Sequence, residues 1–122
     1  MATVLLIDDE PGLRMVVRVN LALEGIELVE AGDGLTGLEL ARAAKPDLIL
    51  LDLRLGPGVD GWQVAQELRA DPSTADIPMI LLTGHTDTST QERGVEVGAT
   101  DYITKPFGLS DLVERVVRAI PG

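Results

Sequence analysis

The sequence predicts an α/β protein: one doubly wound domain over residues 1–122, with a five-stranded parallel sheet of order 2-1-3-4-5 flanked by five helices. Three observations predict it. Apolar runs at 4–7 (VLLI), 48–51 (LILL) and 79–82 (MILL) are not interrupted by polar residues, the pattern of strands buried on both faces of a parallel sheet. Helical patterns lie between the strands, so strand and helix alternate with short connections and right-handed crossovers. The two weaker strands are short and partly polar, which suits sheet edges and leaves the three greasy strands central.

Residues 4–7 open the chain as the first strand. Pro11, tolerated in a first helical turn, precedes Leu13, Val16, Val17 and Leu21 at helical spacing. The second strand is read at 26–31 (IELVEA), where glutamates interrupt the apolar pattern. A Leu- and Ala-rich helix covers 34–44 and stops before Pro46. After the strand at 48–51, a helix over 61–70 carries Trp62, Val64, Ala65 and Leu68. Trp62, the one tryptophan, is assigned to core packing. Beyond the strand at 79–82, the segment DTSTQERGVEVG has few apolar anchors, Val95 and Val97. Gly94 lies inside it and costs about 1 kcal/mol relative to alanine. Gly98 is placed to cap it. The fifth strand is 101–104 (DYIT). The last helix shows the clearest stripe, Leu109, Leu112, Val113, Val116, Val117 and Ile120, with Asp111 placed as a capping acid.

Composition narrows the function. A chain of 122 residues with 45% hydrophobic content builds a core without a staple, and it contains no cysteine. A disulfide framework, a thiolate metal site and a cysteine nucleophile are thereby excluded. The formal net charge of −10 argues against nucleic-acid binding through a basic face and against adhesion to an anionic membrane. No apolar run approaches the ~18 residues of a spanning helix, and the N-terminus lacks the basic start of a signal peptide. A cytoplasmic location is expected.

In the order 2-1-3-4-5 the topological switch lies between strands 1 and 3, and ligands bind outside the carboxyl ends of the strands there. Strand 1 ends in Asp8 and Asp9, followed by Glu10; strand 3 ends in Asp52. Carboxylates meeting without His or Cys suit a hard cation, Mg²⁺ (or Mn²⁺). Strand 4 ends in Thr83, and Lys105 follows strand 5. A carboxylate nucleophile, a divalent ion, a cation and a hydroxyl are what an acyl phosphate on aspartate needs.

With LLIDDEP at 5–11, PDLILLDLRL at 46–55, DGW at 60–62, IPMILLTG at 77–84 and GATDYITKPF at 98–107, the chain resembles the receiver domains of two-component response regulators, which have a flavodoxin-like fold. The resemblance covers essentially the whole chain. It implies that Asp52 is the phosphoacceptor, that Asp9 binds Mg²⁺ directly and Asp8 mainly through water, and that the backbone carbonyl of Arg54 is a further ligand. It implies that Thr83 bonds the phosphoryl group, that Lys105 pairs with it, that Tyr102 is the aromatic switch residue and that the Lys105–Pro106 bond is cis. The implied partners are a histidine kinase or phosphotransfer protein as donor and a downstream protein partner or effector domain. A phosphorylation-dependent dimer is allowed; direct nucleic-acid binding by the domain and membrane association are not expected. The only chemistry expected is self-catalysed phosphorylation and dephosphorylation, read out through helix 4, strand 5 and helix 5.

The chain departs from the family in the loop DLRLGPGVDG, which holds one extra residue where Gly56 and Gly58 flank Pro57. It is read as a neutral insertion beyond the Arg54 carbonyl. His85 is assigned to the rim as an incidental polar residue. A receiver-like binding module that works without phosphorylation is one alternative. An aspartate-nucleophile phosphatase is another, but it would carry a second acid where Arg54 stands. A flavin carrier would need aromatics, which make up only 2% of this chain.

Overall fold

The computed structural model describes residues 1–56, 58–84 and 87–121. Five strands and five helices alternate: β1 (Thr3–Ile7), α1 (Pro11–Ala22), β2 (Glu27–Ala31), α2 (Gly34–Ala44), β3 (Leu48–Asp52), α3 (Gly61–Ala70), β4 (Met79–Thr83), α4 (Thr88–Glu96), β5 (Asp101–Thr104) and α5 (Leu109–Ala119). All neighbouring strands pair in parallel, in the order β2-β1-β3-β4-β5. Pro57 and His85, given roles from the sequence, lie outside the described residues.

The uninterrupted apolar runs are explained by burial on both faces. Successive strand side chains point to opposite sides. Leu5, Ile7, Ile49, Leu51, Met79 and Leu81 enter a core shared with α2 and α3. Val4, Leu6, Leu48, Leu50, Ile80 and Leu82 enter a core shared with α1 and α5. Central strands thus have no polar face, whereas β2 and β5, each with one neighbour, tolerate Glu27, Glu30 and Asp101.

Backbone contact explains Gly61. A Cβ there would lie 2.5 Å from both the Asp52 carbonyl oxygen and the Leu53 Cα, so the first turn of α3 rests directly on the chain leaving β3. Asp60 caps that helix through a reciprocal pair with Gln63. Asp111 does not cap α5, whose N-cap is Gly108 without a side-chain bond. It sits one turn in, where its negative charge favours the helix N-terminus, and it accepts a hydrogen bond from Arg115 at 3.2 Å.

α4 corrects one expectation. Val95, read as an anchor, is 80% exposed. The residues turned to the protein are Gly94 and Val97, three positions apart on one face. Gly98, at φ 70°, ends the helix in the left-handed conformation. Arg69 of α3 then secures that end. Its guanidinium donates to the carbonyls of Val97 and Gly98 at 3.1 Å, and to those of Ala75 and Ile77.

A Cβ on Gly94 would meet Leu81 Cδ1 at 3.6 Å, an ordinary contact. Gly94→Ala is therefore expected to raise unfolding stability by about 1 kcal/mol, through helix propensity and a less disordered unfolded chain. Urea denaturation checks this, with Val95→Ser as a near-neutral companion. A loss of stability in Gly94→Ala would show that α4 packs more tightly than described.

Candidate functional site

The carboxyl ends of β1, β3 and β4 and the start of the chain after β5 converge at one edge of the sheet. Asp8 follows β1 and is fully buried; Asp52 closes β3 and is 3% exposed. Two carboxylates in such positions need compensation. Asp8 Oδ1 accepts from the Glu10 amide at 2.9 Å, and Asp52 Oδ1 accepts from the Arg54 amide at 2.9 Å. The other oxygen of each, Oδ2, accepts from the same group, Lys105 Nζ, at 3.0 Å in both cases. Glu10 Oε1 stands 3.7 Å from that ammonium.

Lys105 reaches this point because its amide continues the β4–β5 pairing, donating to the Thr83 carbonyl at 2.7 Å. The Lys105–Pro106 bond is cis. Burial pushes the Asp52 carboxyl up, the Arg54 amide and Lys105 pull it down, the Asp8 charge raises it, and the net direction is upward. Burial works against the Lys105 cation, but its hydrogen bonds to Asp8 and Asp52 outweigh this and raise its pKa.

These groups border an open cleft of about 770 Å³ whose described walls include Asp9, Glu10, Asp52, Arg54, Thr83 and Lys105. Every sequence-assigned acid, the threonine and the lysine are therefore together. Tyr102 is not in the cleft. It lies on β5 and is 37% exposed. Carboxylate oxygens of Asp8, Asp9 and Glu10 can come within 4.8 Å of one another. Glu10 thus joins the cluster, although the sequence reading gave it no role. Gly56, in the loop after β3, borders the acids: a Cβ there would lie 3.7 Å from Asp9 Oδ2. Trp62 packs against the core shared with α2 and α3, as read from the sequence, and does more. It is half-buried, lines the cleft, and carries the Arg93 guanidinium 4.2 Å from its ring centroid. Thr90 of α4 also lines the cleft.

Four carboxylates around one ammonium leave negative charge in excess, and all the donors are oxygen. That donor set fits a hard divalent cation rather than a soft one.

Comparison with known proteins agrees with this geometry. The family model described as the response regulator receiver domain matches residues 4–117, and the chain belongs to that family. It is a phosphorylatable receiver domain of two-component signal transduction. Among its relatives, the DNA-binding dual master transcriptional regulator RpaA of Synechocystis is 44% identical over 116 residues, 95% of this chain and 48% of that protein. The phosphate regulon transcriptional regulatory protein PhoB of Pseudomonas aeruginosa is 43% identical over 114 residues, 93% of this chain and 49% of that protein. The chain spans about half the length of these relatives. The fold matches a chemotaxis response regulator of Vibrio cholerae with a TM-score of 0.91 at 31% identity, covering 98% of this chain and 99% of that one. It also matches the receiver domain of a sensor histidine kinase from Pseudomonas aeruginosa, described with a magnesium ion in its active site cleft. The TM-score there is 0.83 at 30% identity, over 96% of this chain and 94% of that one.

The relatives correct the partner reading made from the sequence, which set protein partners against nucleic acid. RpaA and the mycobacterial regulator MtrA are named as DNA-binding proteins. A net charge of −10 describes the surface of these 122 residues and does not speak for the other half of proteins such as these. Among the described residues, no helix is long and apolar enough to cross a membrane.

The shared ammonium makes a pH-dependent prediction for the metal-free protein. Asp52 already has a folded-state pKa above its ordinary 3.8. Its ionisation therefore opposes folding, and the stability of the protonated form is lost as pH rises through the raised value. Removing the lysine raises that value further. Lys105→Met is expected to lose roughly 3 kcal/mol near pH 7, the scale for breaking a buried pair, and much less near pH 4. Denaturant titrations at both pH values test this; an equal loss at each would show that the lysine acts through packing alone.

Proposed function

We propose that residues 1–122 form one receiver unit in which Asp52 is the phosphoacceptor. The observation that carries this reading is the bridge from Lys105 to Asp52 and Asp8, 3.0 Å to each. It leaves a buried carboxylate at the floor of an open cleft with a cation fixed beside it. One oxygen of Asp52 forms a bond to phosphorus as the donor's bond to phosphorus breaks, and the leaving group departs with that electron pair. In the reverse step a water oxygen bonds to phosphorus as the bond from phosphorus to the Asp52 oxygen breaks, which releases inorganic phosphate and restores the carboxylate. This self-catalysed cycle is the only chemistry proposed for the chain. The positive charge of Lys105 offsets charge that moves from the donor onto the phosphoryl oxygens. Thr83, the buried end of β4, lies in the same cleft and offers its hydroxyl to the phosphoryl group.

Asp8, Asp9, Asp52 and the Arg54 carbonyl would hold Mg²⁺. Both oxygens of Asp8 have protein partners, which supports a ligand role mainly through water, whereas the exposed Asp9 is suited to direct contact. When bound, the ion neutralises charge on the phosphoryl oxygens.

The switch surface is proposed to be α4, β5 and α5. The cleft reaches α4 at Thr90. A phosphoryl group draws Thr83 inward, and Tyr102 turns from solvent toward the space that opens. The differential contacts that a two-state change requires are those of Thr83 and Lys105 with the phosphoryl group.

Intact mass after treatment with acetyl phosphate and Mg²⁺ is expected to show one added phosphoryl group, absent in Asp52→Asn. Phosphorylation of the variant at the parent's rate would reject Asp52 as the nucleophile. Mg²⁺ at a hundred times its dissociation constant is expected to stabilise the parent by ~2.7 kcal/mol, and Asp9→Asn to lose most of that. A melting temperature indifferent to Mg²⁺ would reject the metal reading. In hydrogen exchange, a phosphoryl mimic is expected to change α4 and β5 most; changes confined to α1 and α2 would reject the switch surface.

A further inference from the structure

Arg14 is a polar residue on the first turns of α1, yet its side chain turns back toward the end of β1 and is only 19% exposed. Its Nη1 donates to the backbone carbonyl of Asp8 at 2.6 Å. Its Nε faces Glu30 Oε1 on β2 at 3.4 Å, and Arg18 takes the other oxygen of Glu30. Gly32 leaves room for this arrangement, since a Cβ there would come within 3.3 Å of Arg14 Nη1.

Asp8 consequently has every polar group occupied. Its amide donates to the Ala31 carbonyl at 3.0 Å. Its carbonyl is taken by Arg14, one carboxylate oxygen by the Glu10 amide, and the other by Lys105. The carbonyl of Asp8 and the amide of Asp9 belong to one rigid peptide plane. A group that grips the Asp8 oxygen therefore sets where the chain launches Asp9, whose carboxylate is exposed at the cleft.

We infer that Arg14 is a positioning residue: it fixes the Asp8–Asp9 peptide so that the Asp9 carboxylate is held ready for a divalent cation, and Glu30 holds Arg14 in turn. The inference rests on the metal reading given above. Arginine suits the task because its planar fork reaches the carbonyl and the glutamate at once, which the single ammonium of lysine does not. Partners behind a metal ligand typically change metal affinity 10- to 100-fold.

A cation near a cation site also repels the incoming ion, and this opposite sign makes the inference testable. If Arg14 acts only as a charge, Arg14→Gln tightens Mg²⁺ binding and Arg14→Lys leaves it unchanged. If it positions the peptide, both variants weaken binding, by about 10-fold or more, and Glu30→Gln weakens it by a smaller factor. Calorimetric titration of the 122-residue chain with Mg²⁺ gives the affinities, and thermal melts confirm that each variant is folded. In the metal-free protein, exchange of the Asp9 amide is expected to quicken in Arg14→Lys. Should Arg14→Gln fail to fold, Arg14→Lys and Glu30→Gln decide the matter, because both keep side chains of similar size. A parent that binds Mg²⁺ while Arg14→Lys and Glu30→Gln bind it equally well overturns the positioning role alone. A parent that takes up no Mg²⁺ overturns the metal reading and this inference with it.

Discussion

One ammonium shared by two buried carboxylates is the interaction on which the site depends. Asp8 and Asp52 end neighbouring strands, so their separation is set by the β1–β3 pairing and not by side-chain choice. The Asp8 charge at that separation raises the cost of ionising Asp52. Lys105 offsets this only because β5 delivers it across β4 to the same edge. The arrangement thus uses three strands from distant parts of the chain, and the lysine offsets the cost of burying Asp52.

The compensation is incomplete. Asp9 and Glu10 add negative charge at the cleft mouth, more than one lysine can offset. Arg14 approaches the same acids but spends its donors on the Asp8 carbonyl and on Glu30. A site built this way favours whatever brings positive charge from solution, and it holds that charge where a phosphoryl group would meet it.

Much of this was legible in the sequence for a physical reason. Strands buried on both faces leave unbroken apolar runs, and those runs identify β1, β3 and β4 without ambiguity. Once their order is known, the switch-point rule brings Asp8, Asp9 and Asp52 together, and the strand ends supply Thr83 and Lys105. What was not legible depends on contacts that no periodicity encodes. The Arg93–Trp62 stack needs α3 and α4 to be neighbours at one particular rotation. Arg14 reads as an ordinary polar residue on a helix until the turn at Glu10 folds it back. Val95 misled because an apolarity scan passes over glycine: the buried face of α4 runs through Gly94 and Val97, and Val95 points about 100° away from Gly94 on the helical wheel.

That misreading bears on how α4 responds to the site. Gly94 contributes no side chain to the core, so α4 is held by polar attachments at different depths. At its C-terminal end Arg69 binds two successive carbonyls and two more from the loop before β4, and the Thr100 amide donates to Met79 on β4. Arg93, in the last turn, lies over Trp62, a contact worth about 0.5–1 kcal/mol when solvated, and at the end facing the cleft the Asp87 carboxylate caps the helix by accepting from the Thr90 amide at 2.8 Å. The C-terminal end is fixed by the hydrogen bonds of Arg69, and the end near Thr90 by the Asp87 cap. In the proposed function, charge added at Asp52 reaches α4 through the cleft that Thr83 and Thr90 both line.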